Sequence, residues 1–499
     1  MHLLFIVKEI DNEPHGILLI SSLLKQAGHQ VSLVVATEED PLEAALRLQP
    51  DVVAYTVYTG PHTWYLELNQ RIRARLPGIF SIFGGPHPTF FPEMIEQEGV
   101  DGLCIGEGEY ATLDLMNALE RKGDGVYLPD PSIPNWWLSG GAAVGPNGNG
   151  RDAGVVRNAL RPLLSGEELD DLPFADRELL YAAHKQSRGS KIKPFITGRG
   201  CPYDCAFCFN KAFSDLYEGQ GRRFRRRSTD NVIRELKEVT SGHDVRFVLF
   251  MDDTFILQDR WLVEFMTRYK AEIRREGNPL PFWCQVRANL VNDEKIALFK
   301  DAGCVSVSFG LEAGNDRLRN AVLNRNMSRE EILGAAETLR RHDVTFMTNN
   351  MLGLPTGTLE NDFETLELNV QCRPAYANVF LFQPYPRTAL GEWAYKHGWM
   401  MGSFDDLSGS VSDDTVIKFG SEAEKRQIEN LQKLFALAVE FPRLLPIIRR
   451  LIRLPSNRLF WLVYKVWKGW AIKNRMFPFR MTAQEYLESA LYYMRIKSQ

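Results

Sequence analysis

The stretch PFITGRGCPYDCAFC, residues 194–208, decides the fold of the larger part of this 499-residue chain. An apolar run typical of a strand is followed by a loop that carries Cys201, Cys205 and Cys208. Three thiolates on a turning loop can converge on one centre, whereas thiolates on a strand or a straight helix diverge. The spacing therefore predicts a site for a soft metal, either zinc or an iron–sulfur cluster.

The choice between zinc and iron depends on the number of ligands. A structural zinc site has four protein ligands, and no nearby CxxC or HxxxH supplies a fourth one here. Zinc is therefore the weaker alternative. Three cysteines on a four-iron cluster leave one iron open, and that iron can bind substrate. The four remaining cysteines, Cys104, Cys284, Cys304 and Cys372, lie in apolar contexts and are expected to pack as small hydrophobic residues, with Cys284 alone in a strand that could face the site.

The chain after residue 191 continues to alternate apolar runs with helical periods. The further strand candidates are RFVLFMDD, FWCQVRA, VSVSFGLE, FMTNNMLGLP and NVFLFQPYP. Six units of this kind predict an α/β fold, a partial (β/α)6 TIM barrel, whose catalytic groups should lie at the carboxyl ends of the strands. The residues near those ends are Asp252, Asp253, Gln285, Arg287, Glu312 and Leu354.

Five further β-then-α units lie between residues 3 and 122 and predict a doubly wound parallel sheet. The turns after its fourth and fifth strands contain Gly84, Gly85, Gly106 and Glu107, and ligands of such sheets bind at the strands' carboxyl ends. We expect a sheet domain over 1–135, a linker over 136–190 with a flexible glycine-rich crossing at 139–154, a barrel over 191–404 and an α-helical region over 405–499.

Charge and the amino terminus exclude some functions. With 59 basic and 63 acidic residues the net charge is −4, so no global basic field predicts a nucleic-acid partner. The apolar run at the start is too short for a signal or a membrane span, and a cytoplasmic protein is expected. Residues 441–480 contain ten Lys or Arg, no Asp or Glu and three tryptophans. They predict either peripheral contact with the inner face of a membrane or apolar faces that cover the barrel beneath solvated arginines.

The CxxxCxxC spacing, with Phe207 just before the third cysteine, resembles the signature of the radical S-adenosylmethionine (radical SAM) enzymes. The resemblance implies that the three cysteines hold a [4Fe–4S] cluster whose open iron is chelated by S-adenosylmethionine. It also implies an external one-electron donor, such as flavodoxin or ferredoxin, and a 5′-deoxyadenosyl radical.

Other stretches resemble that family's cofactor-binding elements. FMDDTF (250–255) implies that Asp252 lies near the S-adenosylmethionine amino group, GLEAG (310–314) that Glu312 contacts the cofactor, and MLGLP (351–355) that the backbone at Leu354 packs on adenine. Gln285 and Arg287 complete the expected cofactor-binding set. A carboxylate at a strand end can equally be a helix cap or an ion-pair partner.

The first domain resembles the Rossmann-like cobalamin-binding domain of the B12-dependent branch of this superfamily, through PHGILL (14–19), GHQV (28–31), GGPHP (84–88) and GEGE (106–109). The resemblance spans about residues 1–400 and implies that Gly84, Gly85, Gly106 and Glu107 contact cobalamin. His15 is not expected to bind cobalt, because Glu13 stands where the DxHxxG element has Asp and Leu18 where it has Gly.

The function implied is methylation of an unactivated carbon in a natural-product or lipid-like small molecule. The alternatives are a rearrangement or cyclisation with the same cofactors, and a non-catalytic cobalamin-binding module, which the intact cysteines and Glu312 argue against. The arginine-rich run 222–227 predicts either a clamp for a cofactor carboxylate or phosphate, or a solvated, ion-paired face.

Overall fold

The structure is a computed structural model, and it describes residues 1–121, 127–128, 131–140, 154–407 and 412–495. Most of the crossing predicted at 139–154 lies outside the described residues. The chain divides into two compact units, one of residues 1–190 with 216–222 and one of residues 191–215 with 223–499. None of the described helices is long and apolar enough to cross a membrane.

The first unit is built on one sheet with helices on both faces. Its strands are β1 (His2–Val7), β2 (Gln30–Val35), β3 (Val52–Thr56), β4 (Phe80–Gly84), β5 (Gly102–Cys104), β6 (Glu120–Arg121), β7 (Tyr127–Leu128), β8 (Trp136–Leu138) and β9 (Val156–Arg157). Its helices are α1 (His15–Gln26), α2 (Pro41–Leu48), α3 (His62–Arg75), α4 (Pro86–Phe90), α5 (Glu109–Ala118), α6 (Gly166–Asp171), α7 (Arg177–Ala183) and α8 (Lys185–Gly189).

The order of this sheet is β2-β1-β3-β4-β5-β8-β9, and its first five strands pair in parallel. The apolar run of β1 explains the two helical layers, since Leu3 and Phe5 belong to one buried cluster and Leu4 and Ile6 to another. The doubly wound sheet predicted from the sequence is confirmed.

The segment expected to be a linker, 136–190, differs from the prediction. β8 and β9 extend the sheet in antiparallel pairing, and the Trp136 indole N–H donates to the Ala111 carbonyl at 2.7 Å. From α7, Arg177 forms a buried ion pair with Glu13 and the Tyr181 hydroxyl donates to the same carboxylate. These buried contacts make the segment part of the first unit.

The second unit contains a six-stranded parallel sheet. All the strands of this unit are β10 (Ile192–Phe195), β11 (Gly198–Arg199), β12 (Arg225–Arg226), β13 (Phe247–Phe250), β14 (Arg274–Arg275), β15 (Asn278–Pro279), β16 (Phe282–Val286), β17 (Cys304–Glu312), β18 (Thr345–Leu352) and β19 (Tyr376–Leu381). Two further two-stranded sheets, β11-β12 and β14-β15, lie outside the six-stranded one. The helices are α9 (Phe209–Leu216), α10 (Thr229–Gly242), α11 (Asp259–Glu272), α12 (Asp293–Asp301), α13 (Arg329–Arg341), α14 (Leu359–Cys372), α15 (Ala389–Lys396), α16 (Glu422–Glu440), α17 (Leu445–Leu451), α18 (Arg458–Ala471) and α19 (Ala483–Arg495).

The sheet order β10-β13-β16-β17-β18-β19 follows the chain, so the predicted partial (β/α)6 barrel is confirmed. Side chains alternate between its two faces. Phe309 and Phe346 point outward into a core with residues of α13. The inward-pointing Met347, Asn349 and Met351 are partly exposed, whereas their neighbours in β18 at Phe346, Thr348, Asn350 and Leu352 are buried. Solvent therefore reaches the interior of the barrel.

The helical C-terminal region packs on the barrel. The Gln432 side chain, on α16, donates to the Val379 carbonyl of β19 at 3.1 Å. Farther along, Met476, Phe477 and Phe479 form one apolar cluster with residues from the amino-terminal halves of β10, β13, β16, β17 and β18. This segment forms a floor beneath the barrel.

Candidate active site

The cysteine loop lies at the carboxyl end of the barrel and is held there by backbone contacts. The Ala206 N–H donates to the Leu323 carbonyl at 3.0 Å, and the Ala206 carbonyl accepts from the Leu390 N–H at 2.8 Å. The Asn324 amide donates to the Asp204 carbonyl at 2.7 Å. Segments that follow β17 and β19 thus fix the shape of a loop that begins after β11.

The groups around the thiols are hydrogen-bond donors and cations. Arg325 Nη1 lies 3.5 Å from Cys205 Sγ, and Arg287 Nη1 lies 3.9 Å from the same sulfur. The Thr254 hydroxyl lies 3.7 Å from Cys201 Sγ. Burial raises the pKa of Cys201 and raises that of Cys208 to about 11. Two guanidinium groups would offset the negative charge of a thiolate-held cluster, so this set of donors fits such a group.

No three His, Cys, Asp or Glu side chains among the described residues converge closely enough to hold a single metal ion. A four-iron cluster places each thiolate on a different iron, so its ligands stand farther apart than those of zinc. The lack of a single-ion site among the described residues is therefore no argument against the cluster predicted from the sequence.

Glu312 lies at the end of β17 in a strained conformation. Its φ is +65°, and the pairing with β18 shifts register between Gly310 and Glu312. A Cβ at Gly310 would overlap the Glu312 carboxylate, which explains the glycine. Burial raises the pKa of Glu312, while Arg325, 3.9 Å away, and Arg287 lower it. A largely buried, strained carboxylate beside the cation that contacts Cys205 is a candidate functional residue.

The Asp252 carboxylate has its contacts within the protein. Its carboxylate accepts from the Thr197 hydroxyl at 2.6 Å and from the Thr197 N–H at 3.1 Å, and only 2% of the residue is exposed. Arg226 lies 3.9 Å away. These contacts use both carboxylate oxygens to join β13 to the segment after β10, whereas the next residue, Asp253, is exposed.

The remaining predicted residues of this unit fall into two groups. Phe207 and Leu354 pack in one apolar cluster beside the cysteine loop. Gln285 lies beside Ser308 in the register, so it points into the barrel, and it is partly exposed. Cys284 is fully buried in the outer core, so it faces the helices and not the site.

Polar residues inside the barrel were missed by the sequence reasoning. Ser308, Asn378 and Trp283 are 0%, 6% and 6% exposed. Within the described residues, the Ser308 hydroxyl, Asn378 Oδ1 and Trp283 Nε1 have no hydrogen-bond partner. Leaving such a group unpaired costs about 1–3 kcal/mol, so these atoms are suited to a ligand. The signal was the alternation of polar with apolar residues in VSVSFGLE.

The arginine-rich run 222–227 is ion-paired and stacked. Arg223 pairs with Asp204 at 2.5 Å and Arg227 with Glu235 at 2.6 Å. The Arg226 guanidinium lies 4.2 Å from the centre of the Trp261 ring and donates to two carbonyl groups. These internal contacts favour the ion-paired alternative over a cofactor clamp.

In the first unit, the strand order reverses between β1 and β3, and a crevice at such a point binds ligands in related sheets. Tyr58, on the loop after β3, is 59% exposed, which is unusual for a large aromatic residue here. Gly85 has a φ of +98° and lies beside the backbone of Val57. An exposed aromatic ring at this edge fits a flat macrocycle, and the sequence reasoning missed it.

Gly106 and Glu107 have partners within the protein. A Cβ at Gly106 would overlap the Tyr217 hydroxyl, which accepts from the Glu107 N–H at 3.1 Å. The Glu107 carboxylate accepts from the Leu164 N–H at 3.1 Å. These contacts tie the GEGE turn to other parts of the first unit, and they account for the glycine without a cofactor.

A doubly wound sheet and a six-stranded barrel with three thiols after its first strand define a radical SAM type of enzyme with a second cofactor-binding unit. The comparisons with known families agree. The B12 binding domain model matches residues 1–116, and the Radical SAM superfamily model matches residues 195–368. The chain therefore contains a B12-binding domain followed by a radical SAM domain.

Three curated relatives are similar in sequence. An uncharacterized methyltransferase of Pyrococcus horikoshii is 25% identical over 78% of this chain and 80% of its own length. The anaerobic magnesium-protoporphyrin IX monomethyl ester cyclase of Rubrivivax gelatinosus is 27% identical over 75% of this chain and 64% of its own length. The hopanoid C-3 methylase of Methylococcus capsulatus is 26% identical over 75% of this chain and 67% of its own length.

Two solved structures share the fold. The cobalamin-dependent S-adenosylmethionine radical enzyme OxsB, with aqua-cobalamin and S-adenosylmethionine bound, covers 99% of this chain and 75% of its own at a TM-score of 0.66 and 15% identity. The methyltransferase TsrM from Kitasatospora setae, with cobalamin and a [4Fe–4S] cluster, covers 81% of this chain and 79% of its own at a TM-score of 0.62 and 19% identity.

Proposed function

We propose that the protein methylates an unactivated carbon of a lipid-like or natural-product small molecule. The observation that carries the proposal is the solvent-accessible barrel interior, which lies below the three thiols and contains unpaired polar atoms of Ser308 and Asn378. The methyltransferase names of the relatives, including a hopanoid C-3 methylase, support a methyl acceptor of this kind.

Each part of the site has a separate task in this proposal. Cys201, Cys205 and Cys208 hold the [4Fe–4S] cluster. When bound, the cluster supplies the electron that cleaves S-adenosylmethionine, and cobalamin carries the methyl group. Glu312 binds S-adenosylmethionine through its carboxylate, and the apolar residues Phe207, Leu354 and their neighbours exclude water from the cleavage step.

Arg287 and Gln285 have positioning tasks. Arg287 stacks its guanidinium 3.8 Å from the Tyr203 ring and orients the cysteine loop. Gln285 points into the barrel, where it can bind the cofactor or the substrate. In the first unit, Gly84 and Gly85 leave the end of β4 open to cobalamin, and Tyr58 contacts the macrocycle.

Cyclisation without methyl transfer is the second candidate, because one relative at 27% identity is named a cyclase. The two reactions differ in what happens to the S-adenosylmethionine methyl group. A methyltransferase cleaves one S-adenosylmethionine to methionine and 5′-deoxyadenosine and moves the methyl group of a second one to product, whereas a cyclase leaves every methyl group on methionine. A non-catalytic cobalamin module would cleave no S-adenosylmethionine at all.

The test uses anaerobically reconstituted full-length protein with methyl-labelled S-adenosylmethionine and candidate hopanoid and polyketide acceptors. We expect label in the acceptor and formation of 5′-deoxyadenosine. Replacing any of Cys201, Cys205 and Cys208 by alanine should abolish cluster loading and cleavage, whereas Cys372→Ala, in the buried core, should not. Cleavage that survives the three replacements would refute the site assignment, and label found on methionine alone would favour the cyclase.

Two partners complete the proposal. A one-electron donor such as flavodoxin or ferredoxin reduces the cluster, because the reductive cleavage of S-adenosylmethionine consumes one electron. Residues 441–480 make peripheral contact with a membrane, as argued below.

A further inference from the structure

The tail, defined as residues 441–480, exposes much of the apolar surface of this chain. Thirteen large hydrophobic side chains are exposed among the described residues, and seven of them lie in the tail. Four are on α18: Leu459, Leu462, Val466 and Trp470, with exposed fractions of 65%, 45%, 57% and 42%. Apolar residues gathered in this way mark a surface that contacts something else.

These four residues form one stripe. At 100° per residue, positions 459, 462, 466 and 470 fall within about a quarter of the helix circumference. The opposite face of α18 carries Phe460, Tyr464 and Ala471, which are buried. The helix is therefore apolar on two sides, and packing on the barrel accounts for only one of them.

The charges along the tail itself are of one sign. Arg443, Arg450, Arg453 and Arg458 are exposed, and no carboxylate of the described residues pairs with them. Other basic residues of the tail have partners, as Arg449 has in Glu360. Although the whole chain has a net charge of −4, residues 441–480 contain no acidic side chain.

We propose that the tail docks on an anionic phospholipid bilayer, with the α18 stripe at the boundary of headgroups and acyl chains and the four arginines against the phosphates. A helix lying in the interface needs this combination, and tryptophan is enriched at headgroup level. A second copy of the chain fits less well, because pairing two tails would bring their arginines together. The inference rests on the proposed function only in that a bilayer concentrates a lipid-like substrate.

Sedimentation of full-length protein with vesicles tests the proposal. The vesicles are phosphatidylcholine alone or an equimolar mixture with phosphatidylglycerol. We expect co-sedimentation only with the anionic vesicles, and release at about 1 M salt, where the Debye length falls to about 3 Å. The double variant L462S/V466S should abolish binding, and R450S/R453S should weaken it by roughly fivefold per arginine.

Val263→Ser and Arg260→Ser, both exposed on α11, are the matched controls and should bind as the unchanged protein does. Thermal unfolding checks that every variant is folded. Failure to bind anionic vesicles, or equal binding by L462S/V466S, would overturn the proposal. The proposal would also be overturned if the unchanged protein formed concentration-dependent dimers and L462S/V466S did not, because the stripe would then contact a second copy. Cleavage of S-adenosylmethionine without vesicles reports on the proposed function separately.

Discussion

Acidification should destabilise the first unit through one imidazole, that of His87. The ring is stacked between His62 and Phe91, with centroid distances of 4.3 and 4.6 Å, and only 6% of the residue is exposed. Burial, and then the nearby His62, lower the pKa of His87 from 6.5 to about 3. The folded chain therefore keeps this imidazole neutral over a range in which the unfolded chain binds a proton.

The sign and size of the effect follow from that difference. The stabilising contribution is complete above the unfolded pKa and is lost as the pH falls from 6.5 toward 3. A pH of about 5 lies about 1.5 units below the pKa of this imidazole in the unfolded chain. Protonation then stabilises the unfolded state by about 2 kcal/mol. The loss approaches about 5 kcal/mol near pH 3.

Urea unfolding at neutral pH and near pH 5 provides the assay, with hydrogen exchange of β3 and β4 peptides to isolate the first unit. His87→Phe keeps an aromatic ring in the stack but cannot bind a proton. On acidification, the free energy of unfolding of the unchanged protein should fall by about 2 kcal/mol more than that of this variant. His397→Gln, at an exposed position just after α15, should behave as the unchanged protein. Equal losses in the unchanged protein and His87→Phe would refute the reasoning.

Three further predictions concern the cofactors. Arg325→Gln should lower the midpoint potential of the reconstituted cluster in a redox titration, because a cation and a hydrogen bond beside Cys205 Sγ favour the reduced state. Gly310→Ala should weaken S-adenosylmethionine binding at least about tenfold in calorimetry, about 1.4 kcal/mol, because the new methyl group displaces Glu312. Tyr58→Ala should weaken cobalamin binding by roughly tenfold, measured by absorbance titration, if the exposed ring contacts the macrocycle.

Matched variants control these experiments. Arg317→Gln removes an exposed arginine that contacts Thr356 and should leave the potential unchanged. Gly334→Ala adds a methyl group where nothing lies within 4 Å and should not affect binding. Tyr395→Ala removes another exposed ring, on α15. A change in potential or affinity in these controls equal to that in the matching test variants would contradict the assigned roles.

The sequence predicted the first sheet because its central strands are buried on two faces and so appear as continuous apolar runs, and it predicted the barrel from strand candidates that alternate with helical periods. It did not predict β8 and β9, since a three-residue and a two-residue strand carry no readable period. Alternation does explain why Cys284 faces outward, because Gln285 faces the interior.

The cation beside Cys205 was not predictable in the same way. Arg325 follows a π-helix and lies between two left-handed residues, Asn324 and Asn326. Such a path has no hydrophobic repeat to indicate where the side chain points. Likewise, the role of Asp252 depends on Thr197, a residue 55 positions earlier, and only the folded chain brings the two together.

The floor made by Met476, Phe477 and Phe479 affects the order of events during turnover. Because apolar side chains pack across the amino ends of the strands, substrate and product enter and leave the barrel through the carboxyl end. Because the barrel interior is open at one end, molecules bound in it leave in the reverse of the order in which they entered. The products of one reaction must therefore leave through the carboxyl end of the barrel before the next acceptor can enter.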